Sequence, residues 1–237
     1  MHLVILGLNH KTAPVEVRER FSLSRESIIK GLKNLPLYQT LDEAVVLSTC
    51  NRSEIYAVVD EKNANVRQLK QFWFDLSGSN EEIDEYLYSF YDEDCIRHLF
   101  WVASSLDSLI IGEGQILSQV KEAYSIAREE NSTSTILNTL FHRAIATGKR
   151  VRTETRIAFN AVSVSYAAVE LAKKVFGTLA ESNVLIYGAG KMAELAAQNL
   201  LGAGARKIYV ANRHRDKAQE LARRFNGTAV SFNDAFT

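Results

Sequence analysis

The residue best suited to covalent chemistry in this sequence is Cys50. It lies in a polar loop at residues 48–53, directly after a buried apolar strand, and Arg52 follows two positions later. A nearby cation lowers the pKa of a thiol and raises its thiolate fraction, and loops at the ends of rigid strands commonly hold nucleophiles. From these features alone, a catalytic Cys50 and an ordinary surface thiol are equally open.

The second thiol, Cys95, has a different pattern. It precedes Leu99 and Val102 at helical spacing, which predicts a buried, inert side chain on an apolar helix face. His98 lies three residues after Cys95, but two ligands do not make a metal site, and neither cysteine has C-x-x-C spacing. We therefore predict no metal centre, and helix packing is the default role for His98.

A glycine-rich turn at residues 188–193 spells G-x-G-x-x-A between an apolar strand and a helix. Gly188 permits the tight turn, Gly190 lets the backbone approach a pyrophosphate, and Ala193 keeps the helix close to the sheet. The free N–H groups of the helix N-terminus then face the anion. The turn predicts a dinucleotide-binding segment formed by Gly188, Ala189, Gly190, Lys191, Met192 and Ala193.

The residues after the next strand indicate which dinucleotide binds. An NAD site places an acidic residue there to bond the ribose 2′-hydroxyl, whereas residues 212–215 of this chain read Asn-Arg-His-Arg. Guanidinium groups suit a 2′-phosphate. We predict NADPH as the cofactor, with Arg213 as the main contact and with Asn212 and Arg215 in support. A solvated basic loop is the alternative.

The elements that must position these residues fall into two blocks. In the first block, apolar runs of strand length occur at residues 3–8, 44–47 and 54–59. Ser24 opens a helix that runs to about Asn34. From about residue 64 the period is helical for over a hundred residues, and an acidic stretch at residues 81–94 is interpreted as a solvated helical face and turn.

The second block starts near residue 183 and alternates strand, helix, strand, helix, strand, which is the start of a doubly wound parallel sheet. We therefore expect an α+β N-terminal domain followed by a partial α/β domain of the Rossmann type. The predicted divisions are a domain at residues 1–158, a connecting helix at 159–180 and a nucleotide-binding segment at 181–237.

Composition and charge narrow the class of protein. The 237 residues hold 28 basic and 28 acidic side chains, so a nucleic acid would have to be bound by local patches. Two basic stretches are candidates: residues 149–156 with Arg143, and the group of Lys11, Arg18 and Arg20. Without further context, a solvated surface is the preferred interpretation of both.

Three features of the sequence bear on the cellular location of the protein. Two free thiols favour a reducing cytoplasm. The apolar start lacks the basic region and the cleavage site of a signal peptide. No run approaches the roughly 18 apolar residues that predict a membrane span.

Four motifs in order resemble those of the glutamyl-tRNA reductases. They are residues 7–14 (GLNHKTAP), 47–54 (LSTCNRSE), 107–116 (DSLIIGEGQI) and 149–155 (KRVRTET). With the nucleotide turn, the resemblance covers nearly the whole chain from Leu3 onward. It implies that Cys50 is the nucleophile of an N-terminal catalytic domain and that an NADP-binding domain follows.

The resemblance implies a two-stage reaction at the start of the C5 route to tetrapyrroles such as haem. The Cys50 thiolate attacks the ester carbonyl of glutamyl-tRNA(Glu) and releases the tRNA, and the thioester then takes hydride from NADPH to give glutamate-1-semialdehyde. A thioester accepts hydride more readily than an ester, so covalent capture divides one difficult step into two. The second implied catalytic residue is His98, whose imidazole could move protons near the thiol.

The resemblance also implies a set of substrate contacts. Arg52 is the expected fork for a substrate carboxylate, or else a cation that stabilises the thiolate, and Glu113 could accept from the substrate ammonium. The full set is Thr49, Asn51, Arg52, Ser108, Glu113, Gly114, Gln115 and Gln119. The family usually has proline where this chain has Gly114. Because glycine frees φ, we expect a looser pocket loop.

Further expectations concern completeness and partners. The family is homodimeric through a C-terminal helical domain, and this chain stops at Thr237 after the third strand of the nucleotide fold. We therefore expect a truncated chain or a fragment that lacks this dimer. Glutamyl-tRNA(Glu) is the implied substrate, and glutamate-1-semialdehyde aminomutase is a candidate partner.

The sequence suggests two alternatives to a reductase. The first is a truncated relative that is non-catalytic, or only an esterase, and that binds glutamyl-tRNA or a pathway partner. The second is an ordinary NADP-dependent aldehyde dehydrogenase with Cys50 as its nucleophile. The order of the domains and the residues around Cys50 argue against the second.

Overall fold

The computed structural model describes residues 1–60, 65–79, 83–155, 157 and 164–233. The chain divides into two compact units, Met1–Ala161 and Val162–Thr237. Three predictions fall outside the described residues: those for Arg156, for the side chain of Lys191 and for a division at residue 158.

An antiparallel sheet forms the centre of the first unit. Its strands are β1 (His2–Asn9), β2 (Leu41–Ser48), β3 (Arg52–Val59) and β4 (Tyr88–Tyr91), in the order β2-β3-β1-β4. β3 is buried along its whole length, which explains its run of apolar and β-branched residues. The first three strands confirm the three apolar runs predicted as strands.

The fourth strand shows that the prediction of continuous helix from residue 64 is wrong. Residues 80–82 of the acidic region lie outside the description, but Tyr88–Tyr91 pairs antiparallel with residues 4–7 of β1. A short 3₁₀ helix, Asp84–Tyr86, precedes this strand. Aromatic residues fit a pleated surface, and the edge of β1 supplies backbone partners that local periodicity cannot reveal.

Six α-helices pack around this sheet within the described residues. They are α1 (Val15–Arg20), α2 (Arg25–Lys33), α3 (Asn65–Ser77), α4 (Asp92–Ala103), α5 (Gln115–Glu129) and α6 (Thr135–Glu154). A further 3₁₀ helix spans Leu35–Leu37. α2 begins as predicted, because the Ser24 hydroxyl accepts from the Ser27 N–H at 3.0 Å.

A buried carboxylate fixes α6 to the sheet. Glu43 on β2 is 4% exposed. Its oxygens accept from the N–H groups of Ser134 at 2.7 Å, Ile136 at 3.1 Å and Leu137 at 2.9 Å. The first turn of a helix leaves such N–H groups without intrahelical partners, and a negative charge is favourable there. β2 therefore sets where α6 starts.

The second unit alternates helices with parallel strands. Its elements are α7 (Val164–Phe176), β5 (Asn183–Tyr187), α8 (Lys191–Gly202), β6 (Lys207–Ala211), α9 (Arg215–Arg224) and β7 (Thr228–Val230). The strands pair in the order β5-β6-β7. An α+β block followed by a partial Rossmann-type block is thereby confirmed. Among the described residues of both units, no helix is long and apolar enough to cross a membrane.

Candidate active site

Cys50 lies in the tight turn that joins β2 to β3, and it is exposed. The Thr49 N–H donates to the Arg52 carbonyl at 2.7 Å. The Thr49 hydroxyl accepts from the N–H groups of Asn51 and Arg52, each at 3.1 Å. Thr49 therefore holds the turn that presents the thiol, while its contact with a substrate stays a prediction.

Two groups outside the turn fix its backbone. The His10 N–H donates to the Asn51 carbonyl at 3.0 Å. Arg18 Nη1 donates to the Cys50 carbonyl and to Asn51 Oδ1, both at 3.1 Å. The cation bonded to the backbone of Cys50 is thus Arg18, a residue that the sequence placed in a candidate phosphate-binding patch.

Cys95 is buried in α4, as predicted. Burial, together with the negative charges of Glu54 and Asp92, raises the pKa of its thiol to about 12. Because the thiolate is the nucleophilic form, Cys95 is inert near neutral pH. Of the two thiols, Cys50 is the one that is exposed and carried on a loop.

Glu54 on β3 is a buried carboxylate whose oxygens contact the side chains of four other residues. Its Oε1 accepts from Arg52 Nη1 at 2.6 Å and from the Tyr88 hydroxyl, and it lies 2.8 Å from His98 Nε2. Its Oε2 accepts from the Tyr56 hydroxyl at 2.8 Å. Burial alone would raise the pKa of Glu54, but Arg52 and His98 hold it well below its usual range. One carboxylate therefore orients both Arg52 and the imidazole predicted to be catalytic.

Gly7 makes the contact between Glu54 and Tyr88 possible. It lies on β1 between them, opposite Glu54 on β3 and opposite Tyr88 on β4. A Cβ at this position would lie 2.8 Å from Glu54 Cγ and 3.0 Å from the Tyr88 ring, which is closer than van der Waals contact. The absent side chain lets the carboxylate and the phenol meet across β1.

Asp107 is the second anion that engages Arg52. Arg52 Nη2 donates to Asp107 Oδ2 at 3.1 Å and also to the Asp107 backbone carbonyl, and Lys11 bonds the other carboxylate oxygen. Burial would raise the pKa of Asp107, but Lys11 and Arg52 lower it. The Arg52 side chain is 1% exposed, so its guanidinium lies between two carboxylates. Its roles as a substrate fork or a thiolate partner remain predictions.

The predicted pocket segment runs from the loop after α4 into α5. Gln115 is the first residue of α5, and Gln119 lies one turn later. Gln119 also lines a cleft of 180 Å³ beside Ser48, the last residue of β2. The segment therefore approaches the end of the strand that leads into the Cys50 turn.

Glu113 lies within electrostatic reach of Ser108, Arg52 and Arg152. Burial raises the pKa of Glu113 above its ordinary value, and the Ser108 hydroxyl, Arg52 and Arg152 offset only part of this rise. A carboxyl in such a half-buried position can accept a charge-assisted hydrogen bond from an ammonium group. The contacts of Ser108 and Glu113 with a glutamyl group remain predictions.

Gly114, where the resemblance leads us to expect proline, has φ −71° and ψ −22°. Proline adopts this φ, and a Cβ at Gly114 would meet open space. The φ of Gly114 is therefore one that proline could also adopt at this position. Its effect on the mobility of the loop stays a prediction.

The second unit presents the glycine turn at the end of β5. Gly188 has φ +121°, a conformation that favours glycine, and its N–H donates to the carbonyl of the last residue of β6 at 2.8 Å. α8 begins directly after Gly190, and a Cβ at either glycine would meet open space. Ala189 and Ala193 pack on the core of this unit. The turn therefore offers the backbone N–H groups at the start of α8 to an anion.

A cleft of 580 Å³ opens beside the ends of β6 and β7. Asn212, Arg213 and Arg215 line it, together with Phe232. Arg213 and Arg215 are exposed, whereas the Asn212 amide donates to the His214 carbonyl at 3.0 Å and so supports the loop. Exposed guanidinium groups are the kind of donor that a 2′-phosphate would need, and NADPH as the cofactor stays a prediction.

Several residues that organise the site were missed by the sequence analysis. Glu54 and Asp107 belong to two of the four family motifs, but neither was singled out. The signal for Glu54 was a single acidic residue in a buried strand, because a buried charge is almost always paired. Tyr88 lies on the unpredicted strand. Arg18 and Arg152 were assigned to basic patches, because a cation that bonds a loop has no local mark in the sequence.

Comparison with known families gives two matches. The family model described as "Glutamyl-tRNAGlu reductase, N-terminal domain" matches residues 6–155. The one described as "Shikimate / quinate 5-dehydrogenase" matches residues 170–237. The first match contains the Cys50 turn and the Glu54 network, and the second contains the nucleotide turn.

Relatives named glutamyl-tRNA reductase align along nearly the whole chain. The protein of Priestia megaterium is 48% identical over 237 residues, covering 99% of this chain and 53% of that protein. The protein of Bacillus subtilis is also 48% identical, with 98% and 51% covered. The solved structure of glutamyl-tRNA reductase from Methanopyrus kandleri is 37% identical with a TM-score of 0.62, covering 98% of this chain and 54% of its own.

These matches cover nearly all of this chain but only part of each relative. The chain spans about half the length of the curated relatives it matches, 53% in one case and 51% in another. The match of the first family model nevertheless covers more than half of this chain. The resemblance predicted from the four motifs is confirmed, and the chain belongs to the glutamyl-tRNA reductase family.

Proposed function

We propose that this chain captures the glutamyl group of glutamyl-tRNA(Glu) on Cys50 and reduces it with NADPH. The name of its relatives, glutamyl-tRNA reductase, supports the substrate and the reduction. The observation that carries the proposal is the Cys50 turn. The thiol is exposed, Thr49 and Arg18 fix the backbone around it, and the Glu54 network begins two residues later at Arg52.

The capture step is an acyl transfer. The Cys50 sulfur attacks the ester carbonyl carbon, the bond to the terminal ribose oxygen of the tRNA breaks, and that oxygen takes a proton as the tRNA leaves. A glutamyl thioester remains on Cys50. The resemblance assigns this proton transfer to His98. The structure places His98 in a buried position with its Nε2 against Glu54, and its other ring nitrogen is the one that would exchange the proton.

NADPH, when bound, would supply a hydride to the thioester carbonyl carbon. The bond from that carbon to the Cys50 sulfur then breaks, which releases the aldehyde and returns the Cys50 thiolate. The residues of this chain hold the cofactor. The open turn at Gly188 and Gly190 suits the pyrophosphate, and Arg213 and Arg215 beside the 580 Å³ cleft suit the 2′-phosphate.

A comparison of Cys50→Ser with Cys95→Ala tests this proposal. Each variant is mixed with labelled glutamyl-tRNA(Glu), with and without NADPH, and free tRNA and glutamate-1-semialdehyde are measured separately. We expect Cys50→Ser to lose both products, and Cys95→Ala, the buried control, to keep tRNA release near the parental rate. Parental release by Cys50→Ser would refute the nucleophile assignment. Release by the parent without semialdehyde would favour the esterase-only alternative.

Two properties of the cellular setting follow from the same proposal. A cytoplasmic location agrees with an exposed free thiol such as that of Cys50. The reactive aldehyde product calls for a consuming enzyme, and the aminomutase named above is the expected one. Mixing the two enzymes and measuring the lifetime of free semialdehyde checks this pairing.

A further inference from the structure

Arg152, in the last turn of α6, belongs to a quoted motif that the proposed chemistry does not use. Its Nη1 donates to the Gly114 carbonyl at 3.0 Å, and its Nη2 donates to the Glu113 carbonyl at 2.8 Å. Nη2 also donates to the Ser105 hydroxyl at 3.2 Å, and that hydroxyl donates to the Glu113 carbonyl at 2.8 Å. One guanidinium therefore bonds both ends of the loop that carries the predicted glutamyl contacts.

The close approach of α6 to this loop depends on Gly148, one turn before Arg152. Gly148 is buried, and a Cβ there would overlap the Ala103 carbonyl oxygen and would lie 3.0 Å from Leu117. Because no side chain intervenes, α6 packs directly against the end of α4, where the loop starts. Residues four apart share a helix face. Arg152, four residues after Gly148, therefore lies on the side of α6 that faces the loop.

The loop also closes on itself at the point that Arg152 contacts. The Gly112 N–H donates to the Ser105 carbonyl at 3.0 Å. Ser105 has φ +62°, a left-handed conformation that a residue with a side chain keeps only when its neighbours hold it. The bond from Arg152 to the Ser105 hydroxyl is one such restraint.

We propose that Arg152 is a positioning residue, which holds Glu113 and Gly114 so that the pocket accepts the glutamyl group, and that it is not a phosphate contact for the tRNA. This proposal rests on the proposed function. A side chain that donates to two carbonyl oxygens at once needs the planar, forked guanidinium group of arginine. A phosphate contact, in contrast, needs mainly a positive charge. Arg150 provides the contrast, because it is exposed and bonds Glu154 at 3.0 and 3.2 Å.

The test separates recognition of the glutamyl group from recognition of the tRNA. In a Cys50→Ser background, filter binding gives the Kd for glutamyl-tRNA(Glu) and for uncharged tRNA(Glu), and their ratio reports the glutamyl pocket. We expect Arg152→Lys and Arg152→Ala both to reduce this preference roughly tenfold, the scale of a charge-assisted hydrogen bond, with the affinity for uncharged tRNA unchanged. The control Arg150→Ala, whatever it does to the affinity for tRNA, should leave the ratio of the two affinities at its parental value.

A different pattern would overturn the proposal. If Arg152→Lys keeps the parental preference while Arg152→Ala weakens charged and uncharged tRNA alike, with a shallower salt dependence, Arg152 is a phosphate contact. A Cys50→Ser chain that binds both forms of tRNA equally would also overturn it. That outcome leaves the acyl-transfer chemistry to be judged separately by tRNA release from the parent.

Hydrogen exchange adds a measurement that does not depend on substrate. In the Arg152 variants, the Gly112 amide should exchange faster than in the parent, while the urea midpoint of the first unit stays nearly unchanged. Unchanged exchange at Gly112, or a global loss of stability, would contradict a local positioning role.

Discussion

The sharpest test of the buried network is Glu54→Gln. Glu54 is 0% exposed and accepts from four donors, those of Arg52, His98, Tyr88 and Tyr56. The amide keeps one acceptor oxygen and places an NH₂ group where donors already point. Removing one partner of a buried ion pair costs about 3–5 kcal/mol. We expect Glu54→Gln to lower the free energy of unfolding of the first unit by that amount at pH 7.

The same variant has a defined pH dependence. Arg52 and His98 hold the pKa of Glu54 well below its usual range, against the effect of burial. A carboxyl whose folded pKa is lowered stabilises the fold above its unfolded pKa of about 4.3, and this contribution is lost as the pH falls toward the folded value. The difference in free energy of unfolding between the parent and Glu54→Gln should therefore have its full value above about pH 5 and should shrink at lower pH.

Urea unfolding followed by tryptophan fluorescence measures this effect in one unit. Both tryptophans, Trp73 and Trp101, belong to the first unit. The matched control is Glu122→Gln, since the Glu122 side chain is 63% exposed and pairs with Arg25 at the surface. It should change stability by less than about 0.5 kcal/mol. A Glu54→Gln variant as stable as the control would refute the assignment of Glu54 as the charged centre of the network. A deficit in the free energy of unfolding that is equal at pH 7 and pH 3 would refute it as well.

Two further predictions concern the cofactor and the pocket loop. Arg213→Ala should weaken NADPH binding roughly 10- to 150-fold, the equivalent of a charge-assisted bond of about 1.5–3 kcal/mol, and should leave NADH binding nearly unchanged. Equal losses for both cofactors in a fluorescence titration, with Lys217→Ala on α9 as the control, would remove the 2′-phosphate role. Gly114→Pro should stabilise the first unit by about 0.4–1 kcal/mol, because it restricts the unfolded chain at a φ that proline adopts, with Gly114→Ala as the control. A loss of stability in urea would show that the native loop needs the freedom of glycine.

Features that depend on local pattern could be predicted from the sequence. The strand–turn–helix at Gly188 is such a feature, since its glycines, apolar strand and helix are adjacent in the chain. The buried position of Cys95 follows from helical spacing alone. The Cys50 turn was placed correctly because a polar run separates two apolar strands.

Features that depend on distant partners could not be predicted in this way. Arg52 appeared to be available to a substrate, but Glu54 and Asp107 enclose its guanidinium, and Asp107 comes 55 positions later in the chain. β4 forms only because β1 offers it an edge. Arg18 and Arg152 have the composition of a phosphate-binding patch, and only the folded chain shows that they bond the loops of the site.

The central claim is that Cys50 forms a covalent bond to the glutamyl group, and mass spectrometry tests it most directly. The chain is mixed with glutamyl-tRNA(Glu) in the absence of NADPH, quenched in acid so that a thioester survives, and digested. We predict the added mass of one glutamyl group on the peptide that contains Cys50, none on the peptide that contains Cys95, and none at all in Cys50→Ser. Release of tRNA by the parent with no adduct on Cys50, or an adduct on any other residue, would contradict the account.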